Sequence, residues 1–300
     1  MSKTICLFLC IFSFPFNLSL AYGGILVDTS WLRDHLKEQD IRVLDVSRDP
    51  AFYEKRHIPG ALQVFRHRDL EDYTSYPPVG FPQKRQFLAL MRRLGISNKT
   101  MVVAYDDNKG MYASRMVFLM QLYGHPVERL KILNGGIKQW VEEELPVEKG
   151  FLRVKEEAKP YSPGKRRGEY LATWQDIYRK VVQESSKKSV LLDVRPEAEY
   201  DGDKIRLVRG GHIPGAVNLE VAAISLGSGS HLWETPERLE AIFQKEGISK
   251  DRTIIIYCHS GDRSAHAFVI LKDLLYYPDV RIYEGAWEEW AVLQALPVEE

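Results

Sequence analysis

The segment Thr253-Ile-Ile-Ile-Tyr-Cys-His-Ser-Gly-Asp-Arg-Ser264 contains three successive patterns that decide a local fold. An apolar run rich in β-branched residues ends at Tyr257, a short polar loop with one glycine follows, and apolar residues at helical spacing come after Ser264. This succession predicts a buried strand, a tight loop and the start of a helix. Cys258 is therefore expected at the carboxyl end of a strand.

The expected loop gives Cys258 an environment that favours negative charge. Backbone N–H groups of the loop and of the first helical turn lack partners within the helix and would stabilise a thiolate. Arg263 adds a fixed positive charge nearby. A second interpretation stays open at this point, in which Cys258 is a small buried apolar residue at a strand end. The rest of the sequence has to separate the two.

Composition indicates an ordinary globular chain, long enough for two domains. Of its 300 residues, 45% are hydrophobic and 27% are charged. Lysine plus arginine and aspartate plus glutamate number 41 each, so the formal net charge is zero. No general attraction to nucleic acid or to an acidic membrane surface follows, and neither is expected as a partner of the mature chain.

The N-terminus has the pattern of a secretory signal peptide. Lys3 precedes an apolar run over residues 5–16, and small residues follow at Ser19 and Ala21. This pattern predicts a cleaved signal over residues 1–21 and therefore export, to the periplasm in a bacterium or out of the cell in a eukaryote. A retained membrane anchor is the alternative, but the apolar run is short for spanning a bilayer.

Cysteine usage favours a reactive thiol. Cys6 and Cys10 lie in the predicted signal, so its removal would leave Cys258 as the one cysteine of the mature chain. No internal disulfide could then form, although the export compartment permits disulfides. An unpaired cysteine in an exported protein shifts the interpretation from a structural residue to a reactive one.

The two halves of the sequence repeat one another in order. His57-Ile-Pro-Gly-Ala61 recurs as His212-Ile-Pro-Gly-Ala216, and Gly95-Ile-Ser97 recurs as Gly247-Ile-Ser249. Three further matches keep the same order: Leu44-Asp-Val46 with Leu192-Asp-Val194, Asn134-Gly-Gly-Ile-Lys-Gln-Trp140 with Glu284-Gly-Ala-Trp-Glu-Glu-Trp290, and Leu145-Pro-Val-Glu148 with Leu296-Pro-Val-Glu299. Five collinear matches indicate a duplicated domain.

Strands alternate with helices in both copies, which predicts an α/β fold. We expect two domains, each a mainly parallel sheet flanked by helices on both faces. They should cover residues 22–149 and 169–300, joined by a proline- and glycine-containing linker over residues 150–168. Ligand sites in such sheets lie at the carboxyl ends of the strands, which is the position expected for Cys258.

This ordered set of motifs resembles the tandem-domain rhodanese sulfurtransferases. The resemblance rests on the repeated motifs above, on the Cys258 loop and on the Gly-x-x-x-x-Trp closures at Trp140 and Trp290, and it extends from about Gly24 to the C-terminus. In that family the first domain is catalytically silent and the second carries the cysteine. Here Asp106 occupies the position that matches Cys258, and aspartate cannot perform the sulfur chemistry. The first domain is thus expected to be a structural partner at the interdomain cleft.

The resemblance implies sulfur transfer in two half-reactions on one cysteine. Cys258 would take a sulfane sulfur from a donor as a persulfide and pass it to cyanide or a thiol, including the thiol of a redox protein. Loop residues would stabilise both sulfur anions through backbone N–H groups: His259, Ser260, Gly261, Asp262, Arg263 and Ser264. The reaction requires no metal and no organic cofactor.

Loop length distinguishes sulfur transfer from phosphatase chemistry. Rhodanese-like folds include phosphatases of the cell-cycle dual-specificity type, whose loop has five residues between cysteine and arginine so that a phosphate fits. Four residues separate Cys258 from Arg263, and this smaller loop suits a sulfur atom. A non-enzymatic binding or sulfur-relay module is a further alternative, although a pure scaffold has no need of a thiol in an anion-binding loop.

Two sulfur donors remain in competition. The Cys-x-x-Gly-x-Arg-Ser loop looks more like single-domain rhodaneses than like either tandem subfamily, and its charges suit a small inorganic dianion, so thiosulfate is the preferred donor. Enzymes that use 3-mercaptopyruvate hold its carboxylate with arginines before the second His-Ile-Pro-Gly segment, and the candidates here are Arg195, Arg206 and Arg209. Arg195 is an equally good ion-pair partner for Asp193.

Overall fold

The computed structural model describes residues 24–72, 74, 80–152, 160–183 and 188–300, so the predicted signal peptide lies outside the described residues. The strands of the first domain are β1 (Leu26–Val27), β2 (Ile41–Asp45), β3 (Leu62–Gln63), β4 (Met101–Tyr105) and β5 (Leu130–Leu133). Its helices are α1 (Thr29–His35), α2 (Pro50–Lys55), α3 (Arg66–Asp69), α4 (Lys84–Arg93), α5 (Met111–Leu122) and α6 (Gly136–Glu142), with a 3-10 turn at Val127–Arg129.

The second domain repeats this order. Its strands are β6 (Leu171–Ala172), β7 (Ser189–Asp193), β8 (Ala216–Asn218), β9 (Thr253–Tyr257) and β10 (Val280–Tyr283). Its helices are α7 (Trp174–Ile177), α8 (Glu197–Tyr200), α9 (Val221–Ile224), α10 (Pro236–Lys245), α11 (Asp262–Phe268) and α12 (Ala286–Val292), with a 3-10 turn at Gly168–Tyr170 and π-helical turns at Tyr178–Gln183 and Val269–Leu274.

Both sheets are parallel and have the same strand order. The order is β1-β5-β4-β2-β3 in the first domain and β6-β10-β9-β7-β8 in the second. All described pairings between the strands of these sheets are parallel, including those of β9 with β7 and β10. The predicted α/β fold of two parallel, helix-flanked sheets is therefore confirmed. The predicted boundaries at 22–149 and 169–300 enclose the two sheets, and part of the predicted linker lies outside the described residues.

The central strand β9 explains why the Cys258 segment fixes the fold. Ile254, Ile255 and Ile256 are all buried because helices cover both faces of the sheet. The strand ends at Tyr257, as the sequence predicts, but the next helix begins at Asp262 rather than at Ser264. Gly261 precedes this helix with φ +102°, a conformation that favours glycine, and the tight turn allows helix α11 to start two residues early.

Helices α5 and α11 hold the two domains together. The rings of Phe118 and Phe268 meet edge to face with 4.7 Å between their centroids. One continuous apolar core includes buried residues from both domains around these helices. The interface resembles a domain interior, which predicts that the two halves are rigidly joined. Among the described residues, no helix is long and apolar enough to cross a membrane.

Candidate active site

Cys258 lies directly after β9, at the carboxyl edge of the second sheet. Its side chain is 1% exposed, and its Sγ accepts a hydrogen bond from the Gly261 N–H at 3.1 Å. Of the loop N–H groups that the sequence predicts around the sulfur, that of Gly261 is the one that donates to it among the described residues. A sulfur at this position can be reached by a narrow reactant but not by a bulky one.

Arg263 places a positive charge beside the sulfur. Its guanidinium lines the same cavity as Cys258, and its Nη2 donates to Glu199 Oε2 at 3.1 Å. Burial lowers the pKa of Arg263, but the charges of Cys258 and Glu199 outweigh burial and raise it overall. The guanidinium remains a cation that is oriented by Glu199 and available to an anionic sulfur.

The other loop residues occupy distinct environments. His259 is buried, and its Nε2 lies 3.2 Å from Glu288 Oε1. Ser260 and Asp262 face the space between the domains. Ser264 is fully buried in the first turn of α11, and its Oγ has no hydrogen-bond partner among the described residues. Only part of the predicted loop can therefore contact a substrate directly.

A cavity of about 800 Å³ between the domains opens onto Cys258. Its lining comes from both halves of the chain: Arg48, Arg66, His67, Glu71, Met111, Tyr112, Arg206, Leu207, Val208, Cys258, His259, Ser260, Asp262, Arg263, Glu288 and Val292. Arginines outnumber carboxylates along this wall, which favours small anions. Within the described part of the chain, no group of three or more His, Cys, Asp or Glu side chains is arranged to hold a metal ion.

Of the three candidate arginines, the structure places only Arg206 at the cavity. Arg195 is buried against Asp193, with its Nη2 2.6 Å from Oδ2, and lies over the Trp287 ring. Its position corrects the interpretation of Arg195 as a substrate ligand, because the carboxylate of the same strand end already satisfies the guanidinium.

Arg209 is also committed to the fold. Its guanidinium donates to four carbonyl oxygens near the end of α12, those of Trp290, Ala291, Leu293 and Leu296. A cation at a helix C-terminus is stabilised there by the unpaired carbonyl groups. Arg209 therefore caps α12 and does not line the cavity, which corrects its prediction as a substrate-binding residue.

Two arginines of the first domain reach the cysteine loop and were missed by sequence reasoning. Arg66 holds Asp262 through a bidentate ion pair, with Nε 2.9 Å from Oδ2. Arg115 donates to the Ser260 carbonyl at 3.0 Å and lies 3.4 Å from Asp262. The signal for Arg115 was that it is the one charged residue of the mostly apolar helix α5, where an unpaired charge would be costly.

The equivalent position in the first domain shows a closed version of the same loop. The Asp106 carboxylate accepts hydrogen bonds from four backbone N–H groups, those of Asn108, Gly110, Tyr112 and Ala113, at 2.7 to 2.9 Å. Burial raises the pKa of Asp106 to about 6, while these hydrogen bonds act in the opposite direction. The first loop is therefore filled by an anion of its own.

Comparison with known proteins agrees with this architecture. The rhodanese-like domain model matches residues 28–143 and 178–292. The sulfur carrier protein TtuD of Thermus thermophilus is 34% identical over 94% of this chain and 98% of its own length. A thiosulfate sulfurtransferase of Corynebacterium glutamicum is 30% identical over 95% of this chain and 94% of its own.

A solved structure gives the same result for the fold. SseA of Escherichia coli, a 3-mercaptopyruvate sulfurtransferase, aligns with a TM-score of 0.74 at 27% identity, covering 87% of this chain and 98% of SseA. The match of two rhodanese-like domain models extends over most of the described residues, and both copies carry the same sheet. The chain therefore belongs to the rhodanese family, in its tandem two-domain form.

Proposed function

We propose that this protein is a sulfurtransferase that takes the sulfane sulfur of thiosulfate onto Cys258 and passes it to a thiophilic acceptor. The observation that carries the proposal is the position of Sγ at an interdomain cavity of about 800 Å³, where it accepts a hydrogen bond from the Gly261 N–H and shares the cavity wall with the Arg263 guanidinium. This arrangement stabilises a sulfur anion at the point where a small donor arrives.

The first half-reaction forms a persulfide. The Cys258 thiolate attacks the outer sulfur of thiosulfate, a new S–S bond forms, and the S–S bond of the donor breaks with its electron pair leaving on sulfite. Three negative charges enter and three leave, so no proton and no external electron is needed. The terminal sulfur then carries the charge, which Gly261 and Arg263 are positioned to stabilise.

The second half-reaction returns the cysteine to its starting state. An acceptor such as cyanide attacks the terminal persulfide sulfur, thiocyanate forms, and the electron pair of the broken S–S bond returns to Cys258 as thiolate. A small thiol or the thiol of a partner protein can act in the same way. Because Cys258 is almost completely buried, such an acceptor must project its reactive atom into the cavity.

The charge of the cavity supports thiosulfate as donor. Arg48, Arg206 and Arg263 lie along its wall, and a dianion gains more from this field than a monoanion. Relatives that carry the name thiosulfate sulfurtransferase support the same choice. The likeness to SseA and the placement of Arg206 at the cavity support 3-mercaptopyruvate as the alternative donor.

The test compares both donors on the purified mature chain. We expect kcat/KM for thiosulfate to exceed that for 3-mercaptopyruvate, and Cys258→Ser to abolish thiocyanate production while circular dichroism and Tm stay close to the wild type. A large advantage for 3-mercaptopyruvate would replace the donor. Full activity of the Cys258→Ser variant would overturn the mechanism itself.

We further propose that residues 1–21 direct the chain to an export compartment. The support is the pattern of a charged start, an apolar run and small residues before position 21. Mass spectrometry of the native protein should then give a mature N-terminus near residue 22, in the periplasmic or secreted fraction. An uncleaved protein in the cytosolic fraction contradicts this proposal.

A further inference from the structure

Arg115 connects the interior of the first domain to the cysteine loop of the second. It lies on α5 and is fully buried. Two of its nitrogens donate within its own domain, to the carbonyl oxygens of Leu70 and Gly80 at 2.9 Å each. The third, Nη1, crosses the interface and donates to the carbonyl oxygen of Ser260 at 3.0 Å. A buried guanidinium held at three points keeps a fixed position.

The carbonyl that Arg115 holds belongs to the peptide unit that contacts the nucleophile. In a planar trans peptide the C=O and the next N–H point in opposite directions. The Ser260 carbonyl faces Arg115, and the Gly261 N–H of the same unit faces Cys258 Sγ at 3.1 Å. One peptide group therefore stands between a cation and the sulfur, and the cation polarises the N–H toward the sulfur.

Arg115 also selects between two orientations of this peptide. Glycine at position 261 permits positive and negative φ, so the backbone alone allows a turned peptide whose carbonyl would face the sulfur. The guanidinium stabilises the observed orientation, in which Gly261 has φ +102°. The approach is so close that a Cβ added to Gly261 would lie 2.6 Å from Arg115 Nη1.

The charged groups near this contact do not neutralise the effect of the Arg115 guanidinium on the Ser260–Gly261 peptide. Asp262 lies 3.4 Å from Nη1, but its carboxylate is held by the bidentate pair with Arg66, which is in turn paired with Glu71. The Phe81 ring covers the guanidinium at 4.8 Å. Around the sulfur itself the charged and titratable groups are Arg263 with its partner Glu199, and His259 with its partner Glu288.

We propose that Arg115 is a positioning residue for sulfur transfer: from the domain without a cysteine, it fixes and polarises the Ser260–Gly261 peptide so that its N–H stabilises anionic sulfur on Cys258. The inference rests on the proposed function in taking Cys258 as the nucleophile. Arg115 touches neither donor nor acceptor and acts through the peptide. The first domain thereby contributes to the chemistry of the second.

The test measures the alkylation rate of Cys258 by iodoacetamide against pH, at constant ionic strength, in Arg115→Met, Arg115→Gln and Arg115→Lys. Loss of the charge in the Met and Gln variants should raise the pH midpoint by about one unit, a tenfold loss of thiolate at a given low pH. Arg115→Lys keeps the charge, so its midpoint should stay closer to the wild type even if its Tm falls as far as that of Arg115→Gln.

Gln121→Leu is the matched control. It removes another bond between the domains from the same helix, the 2.7 Å contact of Gln121 with Asp273, far along α5 from the loop. We expect Gln121→Leu to lower Tm and leave the midpoint unchanged. If Arg115→Met does not fold, the comparison of the Gln and Lys variants decides. Equal midpoints in these two, or a shift in Gln121→Leu as large as in Arg115→Gln, would overturn the proposal.

Alkylation keeps this inference separable from the proposed function, because it needs no sulfur donor. Sulfur transfer from thiosulfate is measured in parallel on the same variants. We expect kcat/KM to be highest in Arg115→Lys, lower in Arg115→Gln and lowest in Arg115→Met. A wild-type protein with a low midpoint but no transfer from either donor contradicts the proposed function alone. If the enzyme transfers sulfur but the pH midpoint of Cys258 alkylation does not depend on the charge at position 115, only the role of Arg115 is contradicted.

Discussion

The loops at Asp106 and Cys258 occupy equivalent positions in the two domains, but they differ in how many backbone N–H groups bind the side chain at that position. In the first loop the charge is a carboxylate, bound by four backbone N–H groups at 2.7 to 2.9 Å. In the second loop, within the described residues, the Gly261 N–H is the backbone donor to the sulfur, at 3.1 Å. The first loop is saturated by its own side chain, whereas the second retains capacity for an atom that arrives and leaves.

The surroundings of the two loops differ in the same sense. Trp233 of the second domain covers Gly110 of the first loop so closely that a Cβ there would lie 2.7 Å from its ring. Arg115 Nη1 approaches Gly261, the counterpart of Gly110, just as closely, but Cys258 lines the interdomain cavity. His266 stands five residues after Gly261, as Arg115 stands five residues after Gly110, and each contacts the other domain. The side chains of Asp106 and Cys258 are both buried, but Cys258 borders the cavity and Asp106 is not among its lining residues.

The largest expected effect comes from placing aspartate, the residue of the first loop, at the cysteine position of the second loop. Cys258→Asp should reduce sulfur transfer by more than about a thousandfold, since a carboxylate cannot carry a sulfane sulfur and removal of a nucleophile has effects of this order. The fold should persist, because the loop favours an anion. Thiocyanate release and intact mass after thiosulfate treatment give the result, with Cys258→Ser as control. A persulfide-sized mass gain on Cys258→Asp would contradict the comparison.

The reverse exchange should destabilise the protein without creating a second active centre. Asp106→Cys loses an acceptor for four N–H groups and should lower the free energy of unfolding by about 2 to 4 kcal/mol. In the Cys258→Ser background it should show no thiocyanate production, because Trp233 blocks access. Urea unfolding measures the first effect, with Asp106→Asn as the near-isosteric control. Sulfur transfer by the double variant would show that the exchange of aspartate for cysteine is enough to make the first loop active, and that access to the loop does not matter.

A smaller effect is expected from Asp262, the first residue of α11, whose counterpart at the start of α5 is the uncharged Met111. Asp262→Asn removes a negative charge from the cavity and should lower KM for thiosulfate by about threefold, as expected for a partly screened charge. Tm should fall because Arg66 loses one of its two ionic partners and keeps only Glu71. Steady-state kinetics at two salt concentrations checks this, since the gain should shrink at high salt. A raised KM would indicate that Asp262 organises the donor site instead.

The smallest effect concerns pH and the contact between the two loop helices. Burial lowers the pKa of His266 to about 3, although a hydrogen bond with the Gly110 backbone opposes this and Lys109 reinforces it. An unfolded histidine titrates near 6.5. The unfolded chain thus binds more protons than the folded one between these values, so stability falls as pH decreases from about 6.5 toward 3.

Replacement of His266 should remove this part of the acid sensitivity. His266→Leu is expected to show a shallower decrease of Tm between pH 6.5 and 4, even if its Tm at pH 8 is lower because the 3.1 Å contact with Ser114 is lost. Thermal unfolding followed by circular dichroism across this range provides the measurement. An unchanged slope would assign the acid sensitivity to other groups, among them His125, whose pKa burial also lowers.

Local patterns in the sequence predicted the strand and the loop, because these depend on neighbouring residues. The duplication followed from motifs that recur in the same order in both halves. The run before Cys258 predicts its strand since every side chain of a central parallel strand is buried. The start of α11 at Asp262 was missed because it depends on the conformation of Gly261. A glycine in a polar loop does not reveal from its type alone whether a helix begins behind it.

Contacts between distant segments were beyond what the patterns could predict. Arg195 and Arg209 have the residue type and position of substrate ligands, but Asp193 and the end of α12 satisfy them in the fold. Arg66 and Arg115 have no motif around them, and they reach the loop only because the domains pack along α5 and α11. Charge within the apolar sequence of α5 was the one available sign.

The Arg115 contact has an evolutionary consequence for the copy that has aspartate in place of the cysteine. A duplicate without catalytic chemistry would ordinarily be free to drift or to be deleted. Here a side chain of that copy orients the peptide beside the neighbour's nucleophile, so selection on sulfur transfer also acts on α5 of the first domain. A gene shortened to the second domain would encode the cysteine and its loop but not the guanidinium that organises them.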